Sequence, residues 1–230
     1  MTWNIILGAA STITLFVPLF LIAYLRLFRD GSLLMLFFYY LLSGAYNLMA
    51  LGLLPVSAAA IRTFGLVYNY LDVPLMLLVL LFFCTSQWNR RVIYFTLAAF
   101  LLFEGFIAFG YRLQLESSLY ILGPGTLIVL GYSIYFFLHY GKISIARGKG
   151  LGKTLMLAAI LFAYGCFALI YYLHYIQKTP AVADVFLVYY IVTLISGLVM
   201  SLGLVWVSKR MRQLQELQLM RKELAAFFNS

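Results

Sequence analysis

The sequence predicts an all-α membrane protein: a seven-transmembrane helix bundle followed by an amphipathic helix at the C-terminus. Three observations carry this. Of 230 residues, 65% are apolar and 10% charged, a balance that suits lipid rather than water as the solvent. Seven stretches are apolar over the roughly 20 residues that a helix needs to cross about 30 Å of hydrocarbon. The basic residues, finally, collect in alternate connections between those stretches.

The spans are placed at residues 3–26, 32–54, 61–85, 92–111, 119–141, 154–176 and 185–208. The first has no charged leader and no small-residue cleavage site, so it reads as a retained span. Pro18 in the first span and Pro74 in the third each remove a backbone donor and are candidate kinks. The fifth span carries Gly123-Pro124-Gly125, where irregular backbone would be tolerated if it lined a cavity. Between the fifth and sixth spans lies the longest predicted loop, GKISIARGKGLGK, basic and glycine-rich but without phosphate-loop spacing. It reads as a solvated loop touching lipid headgroups.

After the seventh span the character changes, dividing the chain into a bundle over 1–208 and a tail over 209–230. Leu217, Met220, Leu224 and Phe227 recur at spacings of three, four and three, with polar residues between. That is an amphipathic helix. It is expected to lie on the membrane surface, or else to extend the seventh helix.

Arg26, Arg29, Arg90, Arg91, Lys142, Arg147, Lys149, Lys153, Lys209, Arg210, Arg212, Arg221 and Lys222 follow odd-numbered spans, 13 of the 16 basic residues. Arg62, Arg112 and Lys178 follow even-numbered ones. The positive-inside rule then puts the N-terminus outside and the C-terminus in the cytoplasm. The net charge of +9 is accounted for by anionic headgroups at the cytoplasmic face, with no nucleic-acid partner required. An integral protein of a bacterial inner (cytoplasmic) membrane is the expected setting.

No cofactor or metal is implied. Cys84 and Cys166 share no ligand spacing and read as small packing residues. His139 and His174 fall near opposite membrane boundaries. No HExxH, GxSxG, phosphate-loop or GxGxxG pattern occurs, and catalytic residues are not assigned.

The polar residues inside the spans are the candidate ligand or proton site. Asp72 lies ten residues into the third span, about 15 Å deep, where a charge is costly and usually has a partner or a role. Arg62, Gly65, Asn69, Asp72 and Met76 align along one helical stripe. Glu104 lies about 12 Å, Asn47 about 10 Å, Tyr190 about 9 Å and Thr193 about 13 Å from the outer boundary. These, with Tyr68, form an expected polar cluster in the outer half. Asp72 and Glu104, if they converge, would make a protonatable pair. The amides of Asn47 and Asn69 serve equally as glue between helices. Tyr46, Tyr68, Tyr164 and Tyr190 are placed to donate hydrogen bonds within the core.

An internal repeat is also suggested. LVY stands at 66–68 and again at 187–189, and at the same offset of 121 Gly44 matches Gly165 and Leu34-Met35-Leu36 matches Leu155-Met156-Leu157. The offset maps spans two and three onto six and seven, as a three-plus-one-plus-three parallel duplication would.

Seven spans, short connections and an amphipathic tail resemble heptahelical receptors, microbial rhodopsins and the membrane sensor regions of bacterial signalling proteins. DVPLMLL in the third span is similar to the TTPLLLL of microbial rhodopsins, with Pro74 at their proline. The residue at their proton-acceptor position is then Tyr68. The seventh span, VFLVYYIVTLISGLVMSLGLVWVS, has no lysine, which excludes a retinal Schiff base. FFCTSQWNRR stands where receptors coupled to G proteins carry an acidic-arginine triplet, and the Pro-Gln signature of seven-span sugar transporters is absent. The resemblance implies a sensor or receptor-like protein that binds a small ligand or proton in its outer half and signals through helix seven. A cytoplasmic signalling partner or a second copy would receive the signal. The alternatives are a transporter of protons or small polar solutes and an integral-membrane lipid-modifying enzyme.

Overall fold

The computed structural model describes residues 3–111, 115–177 and 182–228. Among them there is no strand, and seven helices are long and apolar enough to cross a membrane. They are α1 (Trp3–Tyr24), α2 (Gly31–Ala50), α3 (Ala58–Leu80), α4 (Gln87–Tyr111), α5 (Leu115–Arg147), α6 (Leu151–Tyr171) and α7 (Val182–Phe228). The predicted Arg112 and Lys178 loop positions lie outside the described residues, as do the side chains of His174, Lys222, Leu224 and Phe227.

Local chemistry sets the ends. Asp30 opens α2, its carboxylate accepting from the Ser32 amide at 2.9 Å, and Ser57 opens α3 by accepting from the Ala60 amide at 3.2 Å. Both are N-caps that satisfy an orphaned first-turn donor. Between α5 and α6 the chain reverses on Gly148 and Gly150, at φ 60° and 91°, a conformation open to glycine without steric cost.

One prediction is corrected here. The long loop between spans five and six is mostly helix: α5 runs to Arg147, and three residues, Gly148 to Gly150, separate it from α6. Apolar Ile143 and Ile145 and the good helix former Ala146 carry the helix past the hydrocarbon, until glycine ends it. The tail takes the second of its two expected forms, an extension of the seventh helix, because α7 is one helix of 47 residues. At 1.5 Å per residue it is about 70 Å long, more than twice the hydrocarbon thickness. No Gly or Pro interrupts residues 204–228, so nothing in the sequence ends the helix at the membrane boundary. Pro18, Pro74 and Pro124 all lie within continuous helices.

Six helices form a ring in the order α1, α2, α3, α5, α6, α7 and back to α1, and α4 packs outside it against α3 and α5. Contacts of α1 with α2, α2 with α3 and α3 with α5 have counterparts in α5 with α6, α6 with α7 and α7 with α1. That is the packing a parallel three-plus-one-plus-three arrangement requires. Small residues let the helices close up. Gly197 on α7 faces Thr14 on α1, and Gly152 on α6 meets Gly203 and Val207 on α7 backbone to backbone. Close approach of this kind is how helices gain dispersion energy when lipid removes the hydrophobic drive between them.

The apolar core fills the half of the bundle away from the N-terminus. Leu36, Leu77, Leu80, Phe83, Met156, Leu157 and Leu204 are fully buried there. The half nearest the N-terminus is more polar, with Ser43, Asn47, Asp72 and Thr126 buried in it, and it holds the site.

Candidate functional site

The polar stripe of α3 faces inward, as its spacing predicts. Gly65, Asp72 and Met76 are buried and Asn69 is half-buried, while Arg62 at the helix start is exposed. Gly65 has a specific use: a Cβ there would stand 2.9 Å from the Tyr46 ring. Without one, Tyr46 lies flat against Tyr68, the rings stacked at 5.7 Å and 14°.

Tyr46, Tyr68, Asn69 and Asp72 border a cavity of about 310 Å³, within the range typical of small-molecule sites. Tyr46, Asn47 and Ala50 come from α2, and Tyr68, Asn69 and Asp72 from α3. Leu122 and Thr126, one helical turn apart on α5, face it on either side of Pro124. Phe167, Ile170 and Tyr171 come from α6, and Tyr189 and Tyr190 from α7. Gly123-Pro124-Gly125 is not itself among the lining residues, and α5 continues through it without unwinding. Its glycines admit neighbours: a Cβ at 123 would meet the Tyr171 ring at 2.8 Å, and one at 125 would meet Val73 and Phe100.

Asp72 sits at the inner end. Tyr164 of α6 donates from its hydroxyl to Oδ2 of Asp72 at 3.0 Å, and both residues are buried. Tyr68 stands one turn before Asp72 on the same face of α3 and borders the same cavity. Asn47 donates to the Tyr189 hydroxyl at 3.2 Å and to the Ser43 carbonyl at 2.9 Å, and Asn69 donates to the Ser118 hydroxyl at 3.4 Å. Thr193 faces a smaller void of about 30 Å³ between the cavity and the core, bordered also by Tyr39, Tyr68, Tyr164 and Tyr189. Its Oγ1 is buried without a hydrogen-bond partner.

The expected cluster therefore divides. Asn47, Tyr68, Asn69, Asp72 and Tyr190 share the cavity, and Thr193 lies just beneath it. Glu104 does not border it. The Glu104 side chain is 5% exposed on α4, its Oε1 has no hydrogen-bond partner, and no hydrogen bond joins it to Asp72. The two carboxyls stay apart because α4 stands outside the ring. Sequence reasoning did not assign Tyr46, Tyr164, Phe167, Tyr171 and Tyr189 to the site. The repeat offset carried the missing signal. Tyr46 and Phe167, Tyr68 and Tyr189, Asn69 and Tyr190, and Asp72 and Thr193 are each 121 residues apart. The Tyr46–Tyr68 stack has a counterpart in Phe167–Tyr189, at 5.8 Å and 25°.

Among the described residues no group of three or more His, Cys, Asp or Glu is placed to hold a metal. The fold and cavity define a class, the helical bundle with seven potential membrane spans and an internal tyrosine-lined cavity. No protein-family model, curated protein or solved structure matches the chain.

Proposed function

We propose that the protein is a membrane receptor or sensor whose cavity binds a small organic cation, such as a primary or quaternary amine. The carrying observation is the lining itself: a carboxyl at the inner end, five tyrosines and a phenylalanine around it, and no Lys, Arg or His among the lining residues. Ring faces attract cations by their quadrupoles, most strongly where water is excluded. A carboxylate inside a bilayer lacks a countercharge that an ammonium group would supply. Asp72 has acceptor capacity left, since a carboxylate takes about four hydrogen bonds and Tyr164 provides one.

The output in this reading is α7. It contributes Tyr189 and Tyr190 to the cavity and runs unbroken to Phe228, so a change in its packing at the cavity is carried rigidly to the far end. The cavity end faces outward, in line with the positive-inside rule, and the basic end faces the cytoplasm of the bacterial cell.

The test is thermal unfolding of the purified protein with choline, tetramethylammonium and short alkylamines, against neutral alcohols of matching shape. Binding raises the melting temperature saturably. Amines should do so in the wild type and not in Asp72→Asn. Equal responses to the neutral isosteres, or an undiminished response in Asp72→Asn, would overturn the reading.

One observation favours transport as a second reading. The cavity lies where the two three-helix halves meet and is lined by matching positions of both, as in transporters built from parallel repeats. Uptake of a labelled amine into proteoliposomes, absent in Asp72→Asn, would select it over sensing.

A further inference from the structure

A second cavity, of about 580 Å³, opens at the other end of the molecule between the start of α6 and the stretch of α7 beyond Ser208. Four cationic side chains border it, Lys149 and Lys153 from the α5–α6 side and Lys209 and Arg210 from α7, and no Asp or Glu does. We propose that it is a binding site for a phosphate-bearing anion.

The backbone brings the segments that carry these charges against each other. Gly152 and Gly203 touch across the α6–α7 crossing, where a Cβ at 152 would stand 2.9 Å from the Gly203 carbonyl oxygen and 2.7 Å from the Val207 nitrogen. Lys149 and Lys153 flank Gly152 in sequence, and Lys209 and Arg210 lie about two turns beyond Gly203. A crossing this tight holds like charges close to each other, which is unfavourable until an anion sits among them.

Lys153 is positioned for that anion. Its Nζ donates to the Phe82 carbonyl at 3.0 Å and to the Tyr140 hydroxyl at 3.2 Å, and it lies 4.5 Å from the centre of the Phe82 ring. An ammonium has three N–H donors, so one remains for a ligand while the other two fix the group in place. Arg210 adds a planar fork suited to phosphate oxygens. Lys209 rests over the Trp206 ring at 5.7 Å, and tryptophan is enriched at the headgroup level of membranes. Basic pockets between helices at this depth are typical receptors for phosphate headgroups. The chemistry is the same for a lipid headgroup and a soluble phosphate.

The site is independent of the amine reading and is tested apart from it. The protein is reconstituted into nanodiscs of phosphatidylcholine, with or without phosphatidylglycerol, and separately titrated with inorganic phosphate in phosphatidylcholine alone. Melting temperature is the readout. Wild type should be raised saturably by phosphatidylglycerol, by inorganic phosphate, or by both. A lipid source gives a response to phosphatidylglycerol alone, and a soluble source gives one to inorganic phosphate. Lys149→Gln/Lys209→Gln alters two exposed side chains and spares the buried contacts of Lys153, so it should fold and lose most of the response. Lys142→Gln/Arg147→Gln removes the same charge from α5 outside the cavity and should keep it. Equal loss in both double variants would reduce the effect to diffuse surface charge and overturn the site, as would no response in the wild type.

Discussion

Tyr164 on α6 and Asp72 on α3, 92 residues apart, are joined by a 3.0 Å hydrogen bond from phenol to Oδ2 in the buried centre of the ring. The bond ties the two three-helix halves together at the inner end of the cavity. Tyr164→Phe removes the donor and leaves the carboxyl short of a partner, which should cost about 1–3 kcal/mol. Asp72→Asn keeps an acceptor for Tyr164 and should cost less. Thermal unfolding without ligand orders the two variants, and a larger loss in Asp72→Asn would contradict the assignment.

Glu104 presents the opposite case. Its Oε1 is buried and unpaired, so an apolar residue of similar volume should be better tolerated than the acid. Glu104→Met is expected to stabilise the protein by about 1 kcal/mol or more, read as a rise in melting temperature. A fall would mean that the carboxyl has a partner in the working protein.

The α6–α7 crossing depends on the missing Cβ atoms. Gly152→Ala sets a methyl against the α7 backbone and should destabilise by about 1–3 kcal/mol through forced separation of the helices. Gly131→Ala on α5 meets nothing within 4 Å and should be neutral or stabilising by about 0.5–1 kcal/mol, through the higher helix propensity of Ala. Comparable losses in both would remove the special status of Gly152.

The orientation proposed from charge is checked by labelling. In a background with Cys84 and Cys166 replaced by Ser, a membrane-impermeant maleimide should modify Ser57→Cys in intact cells. Ser86→Cys should react only after permeabilisation. The reverse pattern would invert the molecule and place the tyrosine cavity inside.

The continuity of α7 is measurable as a distance. Spin labels at Val205 and Gln215, both on α7, should lie about 15 Å apart along a straight helix. A broad or shorter distribution would indicate a hinge at the membrane boundary and would weaken the route from cavity to tail.

The number and approximate limits of the seven helices were legible from the sequence, because hydrocarbon imposes a length and a composition on anything that crosses it. So was the inward stripe of α3, since Gly65, Asn69, Asp72 and Met76 repeat with the helical period. The period fixes which residues of one helix share a face, and it says nothing about which face of another helix they meet. That rotation is set by side-chain packing between distant segments. It decided that Tyr164 rather than Glu104 serves Asp72, that α4 stands outside the ring, and that the tyrosines of α2, α6 and α7 converge on one cavity. The end of α5 was misjudged, where apolar patterning fades but helix propensity does not. Ile143 to Arg147 and Lys209 to Phe228 stay helical after leaving the stretch that hydropathy marks, because a helix stops for want of backbone partners or at a glycine, not at the edge of the lipid.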